Sequence, residues 1–260
     1  MTVKMIKPAR LAYILLPWRL VFFYSYKAGN TSLVHWLYEY AKPRIKGGVT
    51  VHAKRTYLNS PNNSTSIAEG VKLVQNHGFR GVALARDPYS RAVSAYLNKF
   101  VVDGDVWRKS PESLERFARD LMGVDEQFSF IDYLEKLNAR AAAGERIDPH
   151  FAPQVPAYLQ GVPFFQHLLK LESIDEDLGA LMRKYRMPAA PFPRHRATSS
   201  VSAGNSAEVL ENASSTSCFD LSQNETRPTS EQLLCPRAVG LINELYATDF
   251  ETFGYARRST

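Results

Sequence analysis

Lys27, Thr31 and Ser32 stand around Gly29 in the run Tyr26-Lys27-Ala28-Gly29-Asn30-Thr31-Ser32. Lysine is a compact cation with three donors, and each hydroxyl can donate to an anionic oxygen. The apolar run Val21-Phe22-Phe23-Tyr24 precedes them, and Leu33, Val34, Trp36, Leu37, Tyr40 and Ala41 follow at helical spacing. The pattern predicts strand, loop and helix, with Asn30 or Thr31 as cap and Pro43 as the stop. Unpaired amides and the positive end of the helix dipole converge at such a junction and favour an anion. The spacing is not Walker A, because the lysine lies two residues before the glycine. An ordinary capped helix with a solvated lysine fits the same spacing.

A second junction repeats the arrangement. Gly81-Val82-Ala83-Leu84-Ala85 suits a strand buried on both faces, and it ends at Arg86-Asp87-Pro88. Asp87 is a good N-cap with Pro88 at the first helical position. Tyr89, Ala92, Val93, Tyr96, Leu97 and Phe100 make an apolar stripe, leaving Ser90, Arg91, Ser94 and Asn98 on the opposite face. A phosphate across that face could take a forked pair from Arg86 and a hydroxyl from Ser94. The competing reading has the arginines paired with surface carboxylates. Two such junctions suit a ligand with two separated anionic groups at the ends of adjacent parallel strands.

Two residues compete for proton transfer. His150 lies in the proline-bracketed loop Asp148-Pro149-His150-Phe151-Ala152-Pro153-Gln154, and an imidazole ordinarily titrates near neutrality. Glu172, at the end of a third apolar run from Phe164, is the rival, and a salt bridge or a capping role would also account for it. His167 alternates with Phe165 and Leu169 and reads as a core histidine. Arg194, His195 and Arg196 form a basic cluster that could line a cleft or face solvent.

The elements that must carry these residues alternate. Helices are expected over 111–142, broken near Gly123, with Phe117, Leu121, Phe128, Ile131, Leu134 and Leu137 inward. Another is expected from Asp175 to Tyr185, and a closing helix carries Val239, Leu241, Ile242, Leu245 and Tyr246. Residues 47–63 read as a short strand and polar turn, and 198–230, rich in Ser, Asn and Thr, as a surface loop or insertion. Strands alternating with helices predict an α/β fold around a parallel sheet. Residues 1–19 are expected to be an amino-terminal arm of one domain spanning 1–260.

Composition narrows the partners. The 260 residues carry 32 Lys and Arg against 26 Asp and Glu, a net charge of +6, which favours anionic ligands without choosing among them. Hydrophobic residues at 45% and charged residues at 22% are enough for a core and exclude a disordered chain. Cys218 and Cys235 are too few for a disulfide scaffold and lack metal-site spacing, though one pairing stays open. The basic and apolar N-terminus resembles a signal peptide, but Pro17 and Arg19 interrupt it and it is shorter than a membrane helix requires. A cytoplasmic location is expected, with peripheral membrane attachment open.

These residues resemble the sulfotransferases. Tyr26 to Ser32 is similar to their 5′-phosphosulfate loop, which in the carbohydrate-modifying branch (sulfotransferase family 2 type) usually reads Pro-Lys-x-Gly-x-Thr-Ser. Arg86 to Tyr96 with Asn98-Lys99-Phe100 resembles that branch's 3′-phosphate segment. Asp148 to Gln154, Leu169 to Ser173, Leu245 to Phe250 and Phe253 to Tyr255 add further echoes, so the resemblance covers most of 20–255. Tyr26 stands where proline is usual, and Asn30 is a smaller departure.

The resemblance implies a P-loop-like three-layer fold, 3′-phosphoadenosine 5′-phosphosulfate (PAPS) as donor, and no metal. Lys27, Ala28, Gly29, Asn30, Thr31 and Ser32 would hold the 5′-phosphosulfate, Lys27 also stabilising the departing phosphate, and Arg86 and Ser94 would grip the 3′-phosphate. His150 or Glu172 would be the base. The acceptor would be a carbohydrate or another hydroxyl- or amine-bearing molecule, with no nucleic-acid partner and no stable membrane span. A kinase with an irregular phosphate loop and a non-catalytic polyanion-binding protein are the competing readings.

Overall fold

The apolar stretch Leu11–Tyr24 folds back on itself. Strand β1 (Leu11–Leu15) runs into a 3-10 turn over Leu16–Trp18, and β2 (Leu20–Tyr24) returns antiparallel, pairing Tyr13 with Phe22 and Leu15 with Leu20. Pro17, which cannot donate to a ladder, sits in the turn, where the missing N–H costs nothing. Arg19 takes a left-handed conformation (φ 52°); its guanidinium donates to the His77 carbonyl and lies over the Phe79 ring. The segment expected as an amino-terminal arm is therefore, from Leu11 on, part of the sheet.

The structure is a computed structural model that describes residues 11–41, 58, 63–102, 128–155, 164–194, 212–223 and 228–260. It divides into two units, one from Met1–Arg86 and Pro156–His195, the other from Asp87–Val155 and Arg196–Thr260.

The first unit holds the sheet. β3 (Ser64–Ser66) pairs antiparallel with β1, while β4 (Arg80–Ala85) lies parallel to β2 and β5 (Phe165–Lys170) parallel to β4, in the order β3-β1-β2-β4-β5. The three strands expected from sequence are mutually parallel, but the sheet is mixed rather than parallel throughout. The cause is local: a turn of a few residues can join only antiparallel neighbours, whereas parallel strands need a long crossover.

Helices cover both faces of this sheet. Tyr13, Phe22, Val82, Leu84 and Leu169 share a core with Leu33, Trp36 and Leu37 of α1 (Asn30–Ala41) and with Ile174, Leu178 and Leu181 of α5 (Ile174–Lys184). Each such side chain contributes roughly 1.5–3 kcal/mol by leaving water. Against the other face packs α2 (Ile67–Asn76), capped by Ser66, which the sequence reading did not anticipate. A Cβ on Gly70 would sit 3.0 Å from that of Ala12 and 3.2 Å from the Phe23 ring, so glycine lets this helix approach the sheet closely.

The second unit is helical. It comprises α3 (Pro88–Tyr96), continued by a wider π turn over Leu97–Val102, α4 (Phe130–Ala142), α6 (Cys218–Gln223), α7 (Ser230–Leu233), α8 (Pro236–Leu245) and α9 (Ala247–Phe253). The expected stripe of α3 joins a core with Phe128, Phe130, Tyr133, Phe151, Tyr246 and Phe250. Ser129 and Asp132 form a reciprocal capping box that starts α4.

Other expectations meet the structure unevenly. Leu134 and Leu137 are buried as expected and Ile131 only half so, while Phe117, Leu121 and Gly123 lie outside the described residues, as do Pro43 and nearly all of 47–63. Of the 198–230 segment, 212–223 is not loop throughout: Cys218–Gln223 is helical, and Ala213 and Leu221 are buried. Cys218 and Cys235 are free thiols. Among the described residues no helix is long and apolar enough to cross a membrane.

Candidate active site

In the first unit, β2 delivers the chain into the Lys27–Ser32 loop at the start of α1. Ser25 and Ala28 are buried, and the Ala28 N–H reaches the Ser25 carbonyl at 3.4 Å, turning the loop tightly. Lys27 has φ 68°, left-handed for a residue with a Cβ, and such a conformation costs about 1–3 kcal/mol and is found at functional sites. Arg86, half-buried at the end of β4, donates to the Lys27 carbonyl at 3.2 Å. The two strand ends are thereby joined through the backbone of the residue singled out for chemistry.

Gly29 has φ 80°, and a Cβ there would come within 2.8 Å of Leu171 Cδ1. The loop therefore lies directly against the turn after β5, whose next residue is Glu172. Gly29 O accepts from the Leu33 N–H at 3.0 Å, so α1 starts at this loop and the positive end of its dipole faces an anion bound there. Ser32 is buried, Asn30 and Thr31 are half-buried, and Asn30 Oδ1 is buried with no hydrogen-bond partner among the described residues. A cradle without a Cβ, first-turn amides, two hydroxyls and a cation fit a phosphosulfate group.

Glu172 is exposed in the 3-10 turn Leu171–Ser173. Beside it, Asp177 accepts from the Lys170 N–H and the Ser173 hydroxyl, each at 2.8 Å, so the turn is rigid. His167 is half-buried rather than core, its Nε2 2.8 Å from the Tyr185 hydroxyl, and burial lowers its pKa. Arg194 is exposed and paired with Asp175 at 2.6 Å; His195 and Arg196 lie outside the described residues.

In the second unit, Ser94 is half-buried on α3. Arg91, placed by the helical pattern on the polar face, is fully buried instead. Its Nη2 donates to the Ala152 carbonyl at 2.8 Å and reaches that of His150 at 3.5 Å, and the guanidinium lies 5.5 Å from the Tyr246 ring centroid. Asp249, also fully buried, accepts from the Gln154 N–H at 2.8 Å, the Val155 N–H at 2.9 Å and Gln154 Nε2 at 3.3 Å. Tyr246 donates to the Phe151 carbonyl at 2.7 Å. Burial raises the Tyr246 hydroxyl to about 12, so it stays a donor, and burial pushes the Asp249 carboxyl up against the opposing charge of Arg91 and its amide donors.

The loop so anchored carries His150, half-buried, with Nδ1 2.7 Å from Asp148 Oδ1. The same oxygen accepts the His150 N–H at 2.8 Å, and the Asp148 carbonyl accepts from Phe151 and Ala152. Asp148, Arg91, Tyr246 and Asp249 were given no role by sequence reasoning. An aspartate two residues before a candidate base is a signal of local hydrogen bonding. Nothing in the sequence near Asp249 points to residue 154, because that pairing is purely tertiary.

In the first unit Lys27, Gly29, Arg86 and the Glu172 turn are brought together at the loop and strand ends. His150 and Ser94 belong to the second unit with Arg91. Residues 19–256 match the family described as "Sulfotransferase family". The chain belongs to the sulfotransferase family. No curated protein and no solved structure gives a significant match. The sulfotransferase match extends through both units, so the helical one is as much part of the family pattern as the sheet.

Proposed function

We propose that this sulfotransferase uses PAPS and transfers its sulfuryl group to a hydroxyl of a carbohydrate or glycoconjugate. The observation that carries the donor assignment is the loop from Lys27 to Ser32, built at a strand-to-helix junction with Gly29 against Leu171 and Arg86 tied to the Lys27 carbonyl. The P-loop-like reading of the fold rests on the same junction, since the parallel strands β2 and β4 both end at it. The likeness of 86–100 to the carbohydrate-modifying branch supports the acceptor class.

Sulfuryl transfer resembles loose phosphoryl transfer, so the protein's work is alignment and charge stabilisation. Lys27 places its ammonium against the oxygen that leaves with the phosphate, while Thr31, Ser32 and the loop amides hold the remaining oxygens. Arg86 and Ser94 hold the 3′-phosphate. His150, its Nδ1 2.7 Å from Asp148 Oδ1, takes the acceptor proton, and Glu172, exposed in its turn, is the alternative base.

A labelled-donor assay against polysaccharides, glycolipids and small alcohols tests this reading. Lys27→Ala is expected to lower turnover by roughly 10²–10³ at saturating donor. Arg86→Ala and Ser94→Ala are expected to weaken binding of adenosine 3′,5′-bisphosphate. Wild-type turnover in the first variant, or unchanged affinity in the other two, overturns the corresponding assignment.

A further inference from the structure

The side chain of Asp148 lies against the candidate base. Its Oδ1 lies 2.7 Å from His150 Nδ1 and 2.8 Å from the His150 backbone nitrogen, so one oxygen holds both the ring and the chain behind it. The loop has little freedom to rearrange, because its carbonyls at Phe151 and Ala152 and its amides at Gln154 and Val155 are held by Tyr246, Arg91 and Asp249.

Protonation follows from the geometry. An ionised carboxylate can only accept, so the imidazole nitrogen facing it must carry the hydrogen. Burial pushes the Asp148 carboxyl up, but the side-chain and backbone hydrogen bonds from His150, with the charges of His150 and Lys99, outweigh it and hold the carboxyl below its ordinary value. Three further groups face this pair: Lys99 from the π turn, Arg91 from α3, which reaches the His150 carbonyl, and Tyr133 from α4, whose hydroxyl burial raises far above its ordinary value. The Lys99 charge favours the carboxylate form.

We infer that Asp148 is the positioning residue of an Asp148–His150 pair: it fixes the proton on Nδ1, leaves the Nε2 lone pair to accept the acceptor's proton, and stabilises the imidazolium that results. This rests on His150 being the base. As the acceptor oxygen bonds to sulfur, the sulfur bond to the bridging phosphate oxygen breaks and that electron pair leaves on the bisphosphate. The hydroxyl proton goes to Nε2, and the imidazolium later returns it to solvent. The negative charge of Asp148, 2.7 Å from the ring, opposes the positive charge formed there.

Two variants separate charge from contact. Asp148→Asn keeps a carbonyl acceptor for the turn and removes the charge; Asp148→Ala removes both. Asp148→Asn is expected to lower kcat about ten- to a hundredfold, the range for orienting partners of imidazole ligands, with KM for donor unchanged. In ¹⁵N spectra of the imidazole, the wild type is expected to show the Nδ1–H tautomer and Asp148→Ala a mixture. In a His150→Ala background, Asp148→Asn is expected to lower kcat no further. Wild-type kcat in His150→Ala refutes the base assignment itself. If His150→Ala is impaired while Asp148→Asn keeps full kcat, or the tautomer is unmoved in folded Asp148→Ala, the pairing alone is wrong. Far-UV circular dichroism establishes that each variant is folded, and Asp148→Asn decides the matter should Asp148→Ala unfold.

Discussion

Arg91 and Asp249 show how far a residue's surroundings can override its type. Both are fully buried, and both spend their polar atoms on the backbone of the loop that carries His150. A buried charge costs several kcal/mol unless it is paired and hydrogen-bonded, and Asp249 meets that cost with two main-chain amides, the Gln154 side chain and the nearby charge of Arg91. Removing the carboxylate strands these donors and the arginine charge together. Asp249→Ala is therefore expected to destabilise the protein by roughly 3–5 kcal/mol, read from the urea midpoint. A loss below about 1 kcal/mol would mean that water replaces the carboxylate, and the anchoring of the loop would need another explanation.

Among the elements, the strand-to-helix junctions hold most of the residues proposed to bind the donor. β2 and β4 are parallel neighbours, so the loops after them open at the same end of the sheet, and the bond from Arg86 to the Lys27 carbonyl joins them. Gly29 is the tightest point: its φ of 80° is unfavourable for any side chain, and Leu171 already occupies the volume a Cβ would need. Gly29→Ala is expected to cost about 1–3 kcal/mol in the folded state and to weaken bisphosphate binding, which calorimetric titration would measure. Wild-type affinity in a folded variant would show that the loop tolerates the shift and is not held in its binding form by the glycine. In the second unit, α3 is strapped at its first turn, where the Tyr89 hydroxyl meets Asn243 and accepts the Arg258 N–H at 2.7 Å. Residues close to the carboxyl end of the chain thus restrain the helix that carries Arg91 and Ser94.

At the scale of the whole molecule, the described residues form two cores, one of sheet and helices and one of helices dominated by aromatic rings, and the sulfotransferase match spans both. The net charge of +6 reads differently once Arg91 is buried, Arg194 is paired with Asp175, and Arg237, Arg257 and Arg258 are paired with Glu135, Glu251 and Glu231. Part of the positive charge is structural, and the proposed donor site calls on only a few placed cations. A ligand that binds only the folded state stabilises it by mass action, so adenosine 3′,5′-bisphosphate at a hundred times its Kd is expected to add about 2.7 kcal/mol to the unfolding free energy. Thermal melts with and without ligand would register it, and no rise in Tm at saturation would contradict donor binding by the native fold.

The sequence by itself determined the local chemistry and the local elements: the three parallel strands, α1, α3, α5 and α8, the loop of Lys27 to Ser32, and the placement of Arg86 at a strand end. These depend on spacing within a window of a dozen residues, where period, caps and turn residues are all visible. What only the tertiary structure decided was the antiparallel return of β1, the burial of Arg91, and the pinning of residues 151–155 by Tyr246 and Asp249. Each depends on partners far apart along the chain or on which helix face finds a core, and a periodic pattern cannot tell an arginine facing water from one facing a carbonyl. Asp148 lies between the two cases. It sits two residues from His150 in plain view, but its role emerges only once the loop is folded tightly enough for one oxygen to reach both the imidazole and the backbone N–H.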